Sequence, residues 1–132
     1  MQPEITQADD GQSTDSDKLD QIFKKQVDLQ IKLYNSLEPL IKNQEFININ
    51  LLACFDELSE IMRESAWKNP NLIKFGWKKT QEFNEEKFKE EIVDLLHFFV
   101  NLCIAAGMNE EELFERYINK NKENHDRKDR GY

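Results

Sequence analysis

The sequence predicts an all-α fold, a bundle of four helices, and three observations carry that expectation. Apolar residues recur every three or four positions through four long stretches, the spacing that lines one face of an α-helix. The 132 residues include only four Gly and three Pro, too few to punctuate the hairpins of a β fold. Hydrophobic residues make up 39% and charged residues 33%, a balance that suits a compact helical protein better than a disordered one.

Residues 1–16 are polar and lack periodicity, so they read as a disordered tail ahead of a single all-α domain over 17–132. Asp17 is a candidate N-cap for a first helix reaching about residue 37, with Leu19, Ile22, Phe23, Val27, Leu29 or Gln30, Leu33 and Leu37 on its core face. Pro39 ends or kinks it, because proline lacks an N–H and disfavours helix in the residue before it. The second helix is expected from about residue 48 or 50 to 66, with a stripe of Leu51, Leu52, Phe55, Leu58, Ile61 and Met62. Residues 67–80, with Pro70, Gly76 and both tryptophans, read as a structured loop. The third helix fits from about residue 84 or 85 to 106 and is apolar nearly all round in its second half, as a central helix would be. Gly107 stops it, and Asn109 begins the fourth helix, whose first-turn acids Glu110, Glu111 and Glu112 favour a helix N-terminus.

The net charge of −8 argues against a nucleic-acid polymer or an anionic membrane as partner. A single nucleotide stays open, because a bound metal ion can invert the local field. Cys54 and Cys103 sit among apolar neighbours without metal-ligand spacing, which suits small buried groups in a reducing compartment. With no signal-peptide pattern and no long uncharged stretch, the expected location is the cytoplasm, or the host cytoplasm for a phage-encoded chain.

The chemistry concentrates in two pairs of acids, Glu57-x-x-Glu60 and Glu91-x-x-Asp94. Residues three apart share a helix face, so each pair can aim its oxygens at a common point. Asp94 stands inside the run Ile92–Val100, which predicts a buried carboxylate in need of a cation. Lys89 lies five positions back on another face. A hard divalent metal held by four carboxylates satisfies the set, with Glu64 one turn on as a possible addition, and Mg²⁺ usually binds together with substrate phosphates. Solvated surface is the competing reading for each pair alone. His97 either orients Asp94 or is a satisfied core histidine. Near the C-terminus, Tyr117, Lys120, Asn124 and Arg127 form one helical stripe that can cradle phosphate oxygens, with Asn121 beside it and an aromatic Tyr132 after Gly131. Trp67 and Trp77 bracket Lys68 and Lys74, and Lys78 and Lys79 follow, so this connector offers aromatic faces and cations together.

This ordered series resembles the all-α NTP pyrophosphatases related to MazG, and within them the dimeric dUTPase group. The resemblance rests on Glu57-x-x-Glu60, then Lys74-Phe75-Gly76-Trp77, then Glu91-x-x-Asp94-x-x-His97-Phe98, and finally Tyr117-x-x-Lys120-Asn121-x-x-Asn124-x-x-Arg127 with Gly131-Tyr132. Leu29–Asn35 is similar to the family's first motif, in which a Gln and an Asn meet the nucleoside, here Gln30 and Asn35. Gly107–Glu111 and the segment Tyr117–Asn124 look most like the T-even-type phage dCTPase/dUTPase branch. The resemblance implies a four-helix bundle assembled as a homodimer. It implies Mg²⁺, with Mn²⁺ as a substitute, held by Glu57, Glu60, Glu91 and Asp94, and hydrolysis of dUTP, dCTP or both to the monophosphate and diphosphate. Glu60, with Glu57, is the implied catalytic acid that takes the water's proton. Gln30, Asn35, Lys74, Trp77, Phe98, Tyr117, Lys120, Asn124 and Arg127 are the implied substrate contacts. Tyr34 stands where many dUTPases place Asn, leaving Asn35 or Tyr34 as the sugar contact, and the long connector leaves Trp67 and Trp77 competing for the base, so base preference stays open. The alternatives are a broad MazG-type pyrophosphohydrolase and a non-catalytic helical interaction protein.

Overall fold

The computed structural model describes residues 17–131, so the expected tail at 1–16 and the terminal Tyr132 lie outside the described residues. The fold is all-α, and among the described residues there is no strand. The elements are α1 (Lys18–Tyr34), a 3-10 turn (Glu38–Leu40), α2 (Gln44–Arg63), α3 (Pro70–Lys74), α4 (Glu85–Ala105) and α5 (Glu110–Asp129). The described residues divide into two compact units, one of residues 17–42 and 103–131, the other Asn43–Leu102.

Each helix starts on a side chain or stops on a backbone conformation that the sequence supplies. In the first unit Asp17 caps α1 by accepting from the Leu19 N–H at 2.8 Å. The helix ends three residues earlier than periodicity suggests, because Asn35 adopts a left-handed φ of 74° that α-helix cannot continue through. Leu37 therefore leads into the 3-10 turn containing Pro39 instead of extending α1. Asn109 caps α5 by accepting from the Glu112 N–H at 2.9 Å. α1 packs against α5, and Phe23, Leu40, Cys103, Ile104 and Ala105 are buried.

At the C-terminal end of α4, the Gly107 N–H reaches the Ile104 carbonyl at 2.9 Å and the Met108 N–H reaches the Cys103 carbonyl at 2.9 Å. These two bonds with a left-handed glycine between them are a Schellman stop. The Lys42 N–H then donates to the Ala105 carbonyl at 2.7 Å, satisfying another acceptor of the last turn.

In the second unit α2 begins earlier than the apolar stripe implies. The Asn43 side chain accepts from the Phe46 N–H at 2.9 Å, so the turn 44–48, with Phe46 buried, is helical from its cap. The helix ends at Arg63, short of the expected 66. The connector, read from sequence as a loop, contains the one-turn helix α3, started by Asn69 accepting from the Asn71 N–H at 2.8 Å and by Pro70 at its first position. Its far end is fastened to α2 by the Asn84 N–H donating to the Glu64 carbonyl at 2.9 Å. The Gln81 amide also donates to the Met62 carbonyl at 2.6 Å and reaches the Ser65 carbonyl.

Phe46 and Val100 are buried in this unit, but α4 is not covered all round as its composition suggests. Ile92, Val93 and Phe99 are exposed, as are Leu52 and Phe55 on α2. The physical reason is simple: α4 has apolar residues on several faces, and this unit supplies only one other long helix to cover them. Cys103 is buried as expected, while Cys54 is half-buried, and burial pushes both thiols up from their ordinary range. Among the described residues no single helix is long and apolar enough to cross a membrane.

Gly107 has a φ of 74°, where a Cβ strains the backbone, and that Cβ would also lie 3.6 Å from Ile41 Cγ2. Gly107→Ala is therefore expected to lower the unfolding free energy by about 1–2 kcal/mol, measured by urea denaturation.

Candidate metal centre

Three acids converge in the second unit. α2 contributes Glu57 and α4 contributes Glu91 and Asp94, with one carboxylate oxygen of each within 4.8 Å of the others. Glu91 and Asp94 share a face because they stand three apart in α4, and Glu57 meets them from the neighbouring helix.

The orphan of the group is not the residue that the apolar run pointed to. Asp94 is exposed, because the faces of α4 flanking it are uncovered. Glu57 carries the unsatisfied atom instead: its Oε1 is buried and has no hydrogen-bond partner. Burial raises the Glu57 pKa above its ordinary value of 4.5, followed by a side-chain hydrogen bond with Glu91 and by the negative charges of Asp94, Glu91 and Glu60. A carboxylate pushed toward its neutral form by surrounding acids is a carboxylate short of positive charge.

Glu60 stands beside the group but is not one of the three converging acids. Its Oε2 meets Arg63 at 3.0 Å, an i,i+3 ion pair that sequence reasoning missed although the spacing was legible. Glu64 forms the C-cap of α2 and does not join the cluster. Lys89, the nearest cation in sequence to Asp94, pairs with Glu85 at 2.7 Å. His97 does not orient Asp94 through its Nδ1, which lies 2.9 Å from the Val93 carbonyl. The donor set is thus entirely carboxylate oxygen, half-buried at Glu57 and Glu91 and open at Asp94. Hard oxygen donors with one accessible side suit a hard divalent cation that must also meet a ligand.

The other candidates of the second unit lie around the connector and on α4. Trp77 is 77% exposed and Trp67 47% exposed, so both present open ring faces. Lys74 lies over the Phe75 ring, 5.8 Å from its centroid, and Phe98 on α4 is half-buried. In the first unit Gln30 is buried at 3% exposure, an unusual state for an amide on a helix, and Asn35 is the left-handed residue ending α1. Tyr117, Lys120, Asn124 and Arg127 lie along α5 and are exposed. Sequence reasoning passed over three further buried amides, Gln26 at 6%, Asn50 at 3% and Asn101 at 5% exposure. Their signal was a polar residue beside each apolar stripe.

Comparison with known proteins gives a consistent picture. The chain matches the model of a family described as dUTPase over residues 18–110 and 99–132. It is 37% identical over 89 residues to the dCTP pyrophosphatase of Enterobacteria phage T4, covering 62% of this chain and 52% of that protein. It is 48% identical over 58 residues to the dCTP pyrophosphatase of Enterobacteria phage LZ5, covering 42% of this chain and 34% of that protein. A DNA replication protein of phage T4 is 35% identical over 79 residues, 54% of this chain and 20% of that protein. The chain thus spans about half or less of the length of these curated relatives. No solved structure matches it.

The raised Glu57 pKa fixes a sign for stability. Protonation is easier in the folded state than in the unfolded chain, so the group's contribution is fully present below the unfolded value near 4.5 and is lost as pH rises through the higher folded value. With chelator present, the melting temperature is expected to rise as pH falls from neutral toward 4.5, and Glu57→Gln should flatten this dependence while raising the neutral-pH melting temperature by a few degrees. Thermal melts across that range in EDTA provide the check.

Proposed function

The chain belongs to the dUTPase family, and on that premise we propose that it hydrolyses pyrimidine deoxynucleoside triphosphates, dUTP and dCTP, to the monophosphate and diphosphate. The observation that carries this reading is the buried, partnerless Glu57 Oε1 within a triad of converging acids. Such an atom is costly unless a cation meets it, and the donor chemistry suits Mg²⁺, with Mn²⁺ as a substitute. The two relatives named dCTP pyrophosphatase support the substrate class.

Glu57, Glu91 and Asp94 would hold the metal, with Glu60 adjoining them. A bound Mg²⁺ supplies charge neutralisation for phosphate oxygens and acidifies a water molecule. The remaining work falls to side chains. Glu60, paired with Arg63 through Oε2 and close enough for its charge to act on Glu57, would accept the water's proton. Lys74, Lys120, Asn124 and Arg127 are the donors for the remaining phosphate charge, Arg127 with a fork that matches two oxygens. Phe98 and an exposed tryptophan, Trp77 or Trp67, would offer faces for the base, with Asn35 or Tyr34 as the donor for the sugar and Tyr117 among the phosphate contacts.

Base choice is assigned to Gln30 in this proposal on the family resemblance alone. Uracil and cytosine differ by exchanging a carbonyl and N–H for an amino group and a bare nitrogen. A side-chain amide presents an oxygen or an NH₂ according to its rotation, so it can meet either edge. Weak discrimination between the two pyrimidines is expected, while a purine brings a second ring for which stacking between Phe98 and a tryptophan leaves less room. A panel of dNTPs with and without Mg²⁺ tests this. Both pyrimidine nucleotides should be hydrolysed only with the metal, dATP and dGTP should be at least about tenfold poorer, and Asp94→Asn should lose about 100-fold or more. Comparable kcat/KM for dGTP would favour a broad MazG-type enzyme, and inactivity on every nucleotide would favour a non-catalytic interaction protein.

The exposed apolar residues of the second unit support a homodimer completing a four-helix bundle. Leu52 at 68% and Phe55 at 69% exposure are too apolar and too open for a face that stays in water. Light scattering should give twice 15.7 kDa for the native chain and a monomer for Phe55→Glu.

A further inference from the structure

α2 and α4 each carry one deeply buried amide, and the two meet. Asn101 Nδ2 donates to Asn50 Oδ1 at 2.9 Å. Asn50 Nδ2 donates in turn to the Phe46 carbonyl of its own helix at 2.8 Å. That second bond fixes the Asn50 amide, leaving its oxygen as the acceptor turned toward Asn101.

The spacing relates this pair to the acids. Glu57 stands seven residues after Asn50, and Asp94 stands seven residues before Asn101. Seven residues are almost two full turns, about 10.5 Å along the axis and back to nearly the same face. The helices run antiparallel, as the bond from Asn84 to Glu64 at their other ends requires. Joining Asn50 to Asn101 therefore brings Glu57 level with Asp94, two turns along, and Glu91 one turn further on the same face of α4.

Apolar packing carries little information about this alignment. From Ile92 to Val100 only Asp94 and His97 interrupt the apolar run of α4, so sliding α4 by a turn presents another set of apolar side chains to α2. Such a slip moves Asp94 by about 5.4 Å, more than the 4.8 Å within which the three acids meet. A buried polar pair distinguishes the registers, because a slip separates the Asn50 Oδ1 from the Asn101 Nδ2 at a buried position where apolar packing offers no replacement for that bond. At the far end of α2 the Gln81 bonds to the Met62 and Arg63 carbonyls are exposed, where water is a ready substitute, and the one to the Ser65 carbonyl is part-buried.

We propose that the Asn50–Asn101 hydrogen bond is a register lock that positions Glu57 against Glu91 and Asp94. The proposal rests on the functional reading only in giving this alignment a purpose; the alignment itself can be read without metal or nucleotide. The experiment places Glu57→Cys and Asp94→Cys in the full chain with Cys54→Ala and Cys103→Ala, and follows intramolecular coupling by a short thiol-specific cross-linker such as dibromobimane. The same measurement is made after Asn50→Leu/Asn101→Leu, which replaces both partners by side chains of similar shape, and after Asn101→Ser, a milder change that keeps the chain folded if the leucine pair does not. Cross-linking should be rapid with both amides present and at least tenfold slower in either variant, with helical circular dichroism retained. Equal rates in all three proteins, or no cross-linking in the amide-containing protein, would overturn the register lock. Mn²⁺ affinity, read by EPR on chains retaining the acids, should weaken at least tenfold in the leucine variant. A native chain that binds no Mn²⁺ would instead overturn the functional reading, with the cross-linking result still deciding the lock.

Discussion

Repulsion among three carboxylates held within 4.8 Å is the constraint around which this structure is organised. Two unit charges at that distance repel by about 3–4 kcal/mol at an effective dielectric constant of about 20, and by under about 1 kcal/mol in bulk water. The first value is a large share of a typical domain's stability of about 5–15 kcal/mol. Glu57 bears most of this cost, because burial removes the water that would otherwise screen it, and one of its oxygens has no partner. A chain with a net charge of −8 has little general positive field to relieve the strain. Relief comes from proton uptake or from a cation, and a divalent ion is the stronger because it meets several oxygens at once.

The rest of the second unit can be understood as the frame that enforces this approach. α2 and α4 are joined by a buried amide pair toward one end and by backbone and Gln81 bonds at the other, with the acids between. Arg63 pairs with Glu60, which keeps part of the local charge balanced without entering the triad. The connector between the two helices brings two open indole rings and several lysines into the same unit as the acids. Charge that attracts a cation thus sits in one compact unit with aromatic faces and cations suited to a nucleotide.

Much of this was legible in the chain, and the exceptions have physical causes. Asp17, Gly107 and Asn109 were readable as helix signals because capping and left-handed stops depend on a few neighbouring atoms. The early end of α1 at Asn35 and the early start of α2 at Asn43 differ from what periodicity predicts, since apolar periodicity marks the buried face and not the helix ends. The i,i+3 spacing placed Glu91 and Asp94 on one face of α4, but it did not show that Glu57 would meet them without Glu60, nor which acid would be the orphan. A run of apolar residues around Asp94 predicts burial only if something covers the run, and within the single chain much of α4 is uncovered. The Asn50–Asn101 bond escaped notice because its partners are 51 positions apart, and one-dimensional patterns do not report which polar residues of two helices will meet.

The central claim is that Glu57, Glu91 and Asp94 together bind a divalent cation. Anomalous diffraction from crystals grown with Mn²⁺ tests it directly. A peak is expected at about 2.0–2.3 Å from an oxygen of each of the three carboxylates, including Glu57 Oε1 or its geminal partner. Three ordered carboxylates with no anomalous peak between them, in crystals saturated with Mn²⁺, would contradict it.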